Sequence, residues 1–197
     1  MRLARTVGSD GATALARAFL ADTLALSRCC GADEVVVAYS PPAARAAFAK
    51  LAPDVRLLAQ PRSGFGARLR SALDAGHAEG RRVVLIGTDS PTLPAAIVRR
   101  GFARLERADC VLGPAMDGGY YLIGARDPLP RSLFARMPWS SGTVGAETLR
   151  RARDAGLRVA LLPRWYDVDD EAGLARLAAD RGLSRAPHTR AALVRLE

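Results

Sequence analysis

The sequence predicts an α/β protein with a mostly parallel central sheet, and three observations carry the prediction. Short β-branched and apolar runs alternate with alanine-rich stretches of helical period, the pattern of repeated βαβ units. The run Val83-Val84-Leu85-Ile86 is apolar on both sides of a strand, which predicts a place at the sheet centre with helices on each face. The segment Gly87-Thr88-Asp89-Ser90-Pro91, next in the chain, falls at the carboxyl edge, where open α/β sheets bind ligands.

The first element is a helix over 10–28: Leu15, Ala18, Phe19 and Leu26 share one face of a 3.6-residue period, after a capping candidate at Ser9 or Asp10. Strands are predicted over 34–40, 55–59, 82–87, 109–114, 120–125 and 158–163. Helices are predicted between them over 42–51, 66–79, 94–106, 142–155 and 170–181, with a last one over 187–196. No internal repeat, linker or heptad pattern interrupts the series, so residues 1–197 are expected to form one domain.

Composition narrows the function. The chain carries a formal net charge of +9, and all but one of its 29 basic residues are arginine, Lys50 being the exception. The arginines are dispersed, with no run longer than a pair such as Arg81-Arg82, which argues against a nucleic-acid partner. No apolar run approaches the roughly 20 residues of a membrane span, and no apolar signal core opens the chain, so a soluble, cytoplasmic protein with no membrane partner is expected. Cys29, Cys30 and Cys110 fit neither a disulfide framework nor a zinc site.

Acidic residues are sparse, yet four fall within Asp167-Val168-Asp169-Asp170-Glu171. Asp170 and Glu171 suit the opening turn of the following helix. Asp167 and Asp169 precede it in an extended segment and are expected to face opposite sides, so that one enters the site. Asp89 ends a central strand, with Thr92 the better cap for the next helix, and it reads as a hard oxygen ligand for Mg²⁺. The stretch Gly113-Pro114-Ala115-Met116-Asp117-Gly118-Gly119-Tyr120 places a tight turn between two strands. It serves either as a hairpin turn or as a substrate wall that a ligand approaches closely at Gly118 and Gly119. Asp117 is correspondingly a turn residue or the carboxylate that deprotonates an acceptor hydroxyl.

The order GTDSPTLP, GPAMDGGYYLIG, PWSSGTVGAETLRRA and WYDVDDEAGL resembles the radical-SAM/selenodomain-associated transferase family over nearly the whole chain. That family lies in the nucleotide-diphospho-sugar transferase superfamily, beside phospholactate and molybdopterin guanylyltransferases. The resemblance implies a GT-A fold, a three-layer sandwich. It also implies a metal-dependent transferase that takes a nucleotide or nucleotide-sugar donor and a small-molecule acceptor. By position, the two metal-binding aspartates fall on Asp89 and Asp169, with Asp167 as a spare or supporting ligand of Mg²⁺ or Mn²⁺. Donor contacts are expected at Thr88, at Ser63, Gly64 and Gly66 before a helix start, and at Arg2. Trp139 is a candidate for the acceptor wall.

The departures from the family are Asp170 and Gly173 in the last motif, and the loss of both acidic residues around Ser63-Gly64-Phe65-Gly66. Family members open with a strand and a loop resembling FAKAPxPGxVKTRL, of which Arg2-Leu3 match the end. The expected fold therefore lacks the usual first strand, as from a misplaced start or a shortened chain. The competing functional expectation is a non-catalytic relative acting as a binding subunit.

Overall fold

The computed structural model describes residues 3–139 and 141–196. Among them the elements are α1 (Ala4–Arg28), β1 (Val36–Tyr39), α2 (Arg45–Leu51), β2 (Arg56–Ala59), α3 (Phe65–His77), β3 (Val83–Ile86), α4 (Ala95–Arg104), β4 (Cys110–Pro114), β5 (Tyr120–Ala125), α5 (Val144–Asp154), β6 (Val159–Leu161), α6 (Glu171–Ala178) and α7 (Pro187–Val194). They keep the expected order. The clearest shift is in α1, which starts at Ala4 and kinks at Gly8, where φ is 72°. Glycine adopts that conformation without strain, so two helical segments meet at Gly8 and the longer one begins beside Ser9 and Asp10, close to the expected start.

The strands form two sheets, a parallel β1–β2 pair and a four-stranded sheet in the order β3-β5-β4-β6. In the larger sheet β4 and β6 are parallel, but β5 is antiparallel to both of its neighbours. The expectation of a mostly parallel central sheet is corrected to a mixed one. The cause is the short connection through Asp117-Gly118-Gly119: a parallel return needs a crossover of a dozen or more residues, so the turn brings β5 back antiparallel.

The central placement of Val83–Ile86 is also corrected, since among the described residues β3 pairs only with β5 and all four of its residues are half-buried. Its two apolar faces have another cause. Val83 and Leu85 pack into the cluster that contains Leu73 of α3 and Ala152 of α5, whereas Val84 and Ile86 pack into the one that contains Val98 of α4. Inner strands β4 and β5 divide the same way, with Leu112 and Ile123 on the α3/α5 side and Val111 and Leu122 on the α4 side. The period of two therefore builds three layers, helices on each face of a mixed sheet. Burying Leu73 or Ile123, both about 1% exposed, contributes roughly 2 kcal/mol each.

A third cluster joins Leu15 and Phe19 of α1 to Val168, Leu177 of α6 and Ala192 of α7. Within it the buried Asp22 accepts hydrogen bonds from the backbone N–H groups of His188 (3.2 Å) and Thr189 (2.7 Å). A carboxylate on α1 thus caps the first turn of α7 and complements its dipole. No helix among the described residues is long and apolar enough to cross a membrane.

Candidate metal centre and substrate cleft

The site begins where β3 stops. The Gly87 N–H makes the last bond to β5, donating to the Tyr121 carbonyl (3.0 Å). A Cβ at Gly87 would lie 2.5 Å from Asp89 Oδ1, so the glycine allows the carboxylate to fold back over the strand end. Segment 165–169 is then tied to this edge. Trp165 N–H donates to the Pro114 carbonyl (3.1 Å) and Val168 N–H to the Asp89 carbonyl (2.8 Å), while Ser90 Oγ donates to the Tyr166 carbonyl (2.9 Å). Two backbone bonds and one serine hydroxyl bring the distant acidic stretches together.

Asp89, Asp167 and Asp169 each offer a carboxylate oxygen, and these oxygens lie within 4.8 Å of one another. The reading that Asp167 and Asp169 face opposite sides is corrected. In an extended segment residues two apart share a face, and it is Val168 between them that turns into the core, 1% exposed. Asp167 therefore stands with Asp169 in the cluster. Asp170 is turned to another task, its Oδ1 accepting the Gly173 N–H (3.0 Å) as the N-cap of α6.

Burial pushes the Asp89 carboxyl up to about 6, and the charges of Asp169, Asp167 and Asp117 add to the rise against a hydrogen bond from its own backbone. A partly buried carboxylate among like charges is relieved by a divalent cation. The donor set is all carboxylate oxygen, which suits a hard ion such as Mg²⁺ or Mn²⁺. The residues present fit the metal.

Asp117 reaches the same region from the β4–β5 turn, with Oδ1 accepting the Gly119 N–H (2.7 Å). It lines a cleft of about 230 Å³ together with Met116, Tyr166, Asp167, Asp169 and Arg176. Gly118 has φ 89°, and a Cβ there would fall on the Gly142 carbonyl; its own carbonyl accepts the Gly145 N–H (2.8 Å). A Cβ at Gly145 would lie 2.7 Å from the Gly119 carbonyl oxygen. The DGG and SSGTVG motifs thus press backbone on backbone, a packing reason for the glycines beside the turn reading.

The remaining expected residues are not gathered into this cleft. Thr88 is exposed next to Asp89 in the chain. Gly64 stands at the N-cap of α3, while a Cβ at Gly66 would lie 2.7 Å from the Trp139 ring and 2.8 Å from the Phe134 carbonyl oxygen. The Ser63 carbonyl accepts from Arg68 Nε (3.0 Å). Trp139 meets Phe65 edge to face at 4.9 Å and does not line the cleft. Arg2 lies outside the described residues.

Sequence reasoning missed the polar group behind the carboxylates. Thr92 caps no helix; it is fully buried, with its hydroxyl 2.8 Å from the Tyr166 hydroxyl. Tyr166 donates in turn to Asp180 Oδ2 (2.6 Å), and burial raises its phenol to about 12. No spacing in the sequence pairs residues 92, 166 and 180, because only the tertiary fold brings them together.

Residues 23–141 match the family described as "uncharacterized protein conserved in bacteria (DUF2064)". No curated protein matches the chain. A protein of Desulfovibrio desulfuricans G20, provisionally described as a nucleotide-diphospho-sugar transferase, has a similar crystal structure. The TM-score is 0.82 and the identity 29%, covering 99% of this chain and 90% of that one. Rv0371c from Mycobacterium tuberculosis H37Rv shares the fold at a TM-score of 0.56 and 23% identity, covering 82% of this chain and 84% of its own. With more than half of the sequence inside the family match, Asp89 and the DGG turn included, the chain belongs to the DUF2064 family.

Proposed function

We propose that the protein is a metal-dependent transferase that takes a nucleotide or nucleotide-sugar donor and passes a nucleotidyl or glycosyl group to a small-molecule acceptor. The observation that carries this reading is the meeting of Asp89, Asp167 and Asp169 at the carboxyl end of β3. The likeness to the D. desulfuricans protein supports the donor class. Asp89, Asp169 and Asp167 would hold Mg²⁺ or Mn²⁺, which supplies charge neutralisation for donor phosphates. Arg2, Thr88, Ser63 and the amides at Gly64 and Gly66 are the proposed donor contacts, the last two opening a helix whose N-terminus favours anions. Gly118 and Gly119 shape the wall by bringing bare backbone to the ligand.

The two transfers ask different things of Asp117. In nucleotidyl transfer the acceptor oxyanion is already ionised, so positioning carries the step and no base is needed. In glycosyl transfer with inversion an acceptor hydroxyl must lose its proton, and Asp117 is the carboxylate that would take it. Its Oδ1 is occupied by the Gly119 amide, while Oδ2 makes no hydrogen bond among the described residues.

Calorimetry with GTP, CTP, UDP-sugars and GDP-sugars in Mg²⁺ tests the reading. In Asp89→Asn, donor affinity should fall by more than the roughly 10–100-fold typical of losing an outer partner of a metal ligand. Unchanged Mg²⁺-dependent binding in that variant would overturn the assignment.

A further inference from the structure

The cleft beside the carboxylates is lined by one arginine. Arg176 of α6 stands in a wall shared with Asp117, Asp167 and Asp169, yet it makes no ion pair among the described residues. Its guanidinium lies over the Tyr166 ring, 4.8 Å from the centroid, and Nη1 reaches Met116 Sδ at 2.9 Å. A ring face and a thioether orient a guanidinium while leaving most of its five N–H donors unused. Elsewhere in the chain arginines close to carboxylates pair with them, as Arg28 does with Asp54 and Arg158 with Asp109. Arg176 departs from that habit beside the densest group of acids in the molecule.

Its platform is fixed. The Tyr166 hydroxyl is held between Thr92 and Asp180 and its carbonyl by Ser90, so the residue that precedes Asp167 also sets the plane of the arginine. None of the proposed donor contacts Ser63, Gly64, Gly66 and Thr88 lines this cleft, whereas Asp117 does. Asp167 and Asp169, the proposed ligands of the metal that meets the donor phosphates, line it as well, so the cleft is assigned to the acceptor where it meets the donor. From the geometry we infer that Arg176 binds an oxyanion on the acceptor, so that the acceptors are small molecules bearing a carboxylate or phosphate. This inference rests on the transferase reading for the word acceptor and on the cleft itself for the anion.

The test uses the full chain in Mg²⁺, with inorganic phosphate and, separately, GTP and CTP as calorimetric probes. Wild type, Arg176→Gln and Arg176→Lys are compared. The exposed position of Arg176 predicts equal melting temperatures. Phosphate should bind Arg176→Gln about tenfold or more weakly, the scale of a lost charge-assisted hydrogen bond. Arg176→Lys should recover part of that loss, and nucleotide affinity should change by less than about twofold. Phosphate binding that is equal in wild type and Arg176→Gln, or absent from wild type, overturns the inference. A parallel loss of nucleotide affinity also overturns it, by giving Arg176 to the donor. Phosphate binding that depends on Arg176 in a protein binding no nucleotide in Mg²⁺ keeps the anion site and overturns the transferase reading instead.

Discussion

The two edges of the four-stranded sheet treat their carboxylates in opposite ways. At the amino edge Asp109, just before β4, accepts from Arg126 Nη2 (2.5 Å), from Arg158 Nη2 (3.0 Å) and from the Arg158 backbone N–H (2.9 Å). The Arg158 side chain first, then its backbone, holds the Asp109 carboxyl far below the usual carboxylate range. At the carboxyl edge Asp89 is pushed up to about 6 by burial and by its acidic neighbours, and it makes no ion pair among the described residues. A chain of net charge +9 has no shortage of arginine. Among the described residues none of it pairs with Asp89, and the edge where that carboxylate meets two others is the edge able to receive a cation.

The edges also differ in what holds them. Ion pairs stitch the amino ends of strands across both sheets, where Arg81 before β3 and Arg56 of β2 both meet Glu34 and Glu79, whereas backbone contacts shape the carboxyl edge. The largest expected effect comes from breaking one of these contacts. In Gly118→Ala a side chain is forced into φ 89° and onto the Gly142 carbonyl. The cost should be about 3 kcal/mol, a melting temperature lower by roughly 6–12 °C for a chain of this size. Gly64→Ala is the control: a Cβ there meets open space at φ −60°, and its melting temperature should stay within a few degrees. Equal melting of the two variants would show that the carboxyl edge does not depend on close backbone packing.

This division of labour explains what the sequence could reveal. Strand and helix order and the place of Asp170 at the opening of α6 follow from local pattern, and the structure has them. Asp89 and the acidic segment 167–169 stand out in the sequence because carboxylates at those positions have no packing purpose, and the structure brings them together. Partnership was not legible. That β5 inserts between β3 and β4, that Thr92 bonds Tyr166 instead of capping α4, and that Arg176 rests on a ring all depend on contacts between residues far apart in the chain. Sequence spacing carries no information on those contacts. The sidedness of Asp167 and Asp169 was legible in principle, since a period of two places them together.

The next effect reverses the usual sign of a mutation. A folded-state pKa of about 6 for Asp89, above an unfolded value near 3.9, means that its ionisation opposes folding. The penalty is absent below about pH 4, grows as pH rises and is complete above about pH 6. Metal-free Asp89→Asn should therefore be more stable than wild type at pH 8 by about 3 kcal/mol, roughly 6–12 °C in melting temperature, with no gain at pH 4. Saturating Mg²⁺ should raise the melting temperature of wild type and not of the variant. A variant less stable than wild type at pH 8 without metal would show that Asp89 is a structural residue like Asp109.

Asp109→Asn gives the opposite sign and the smallest effect. Because its folded pKa is depressed, Asp109 contributes stability that is present above the unfolded value near 3.9 and is lost as pH falls through the folded one. Removing the charge leaves Arg126 and Arg158 without their shared partner at a site 20% exposed. The loss should be about 1 kcal/mol at pH 7, or roughly 2–4 °C. Salt should shrink it, since the arginines reach into solvent. The gap between wild type and variant should close as pH falls from 4 toward 2, the mirror image of the Asp89 profile. If both asparagine variants shift stability in the same direction at pH 8, the two edges are not electrostatically opposed, and the uncompensated charge at Asp89 no longer marks the functional edge.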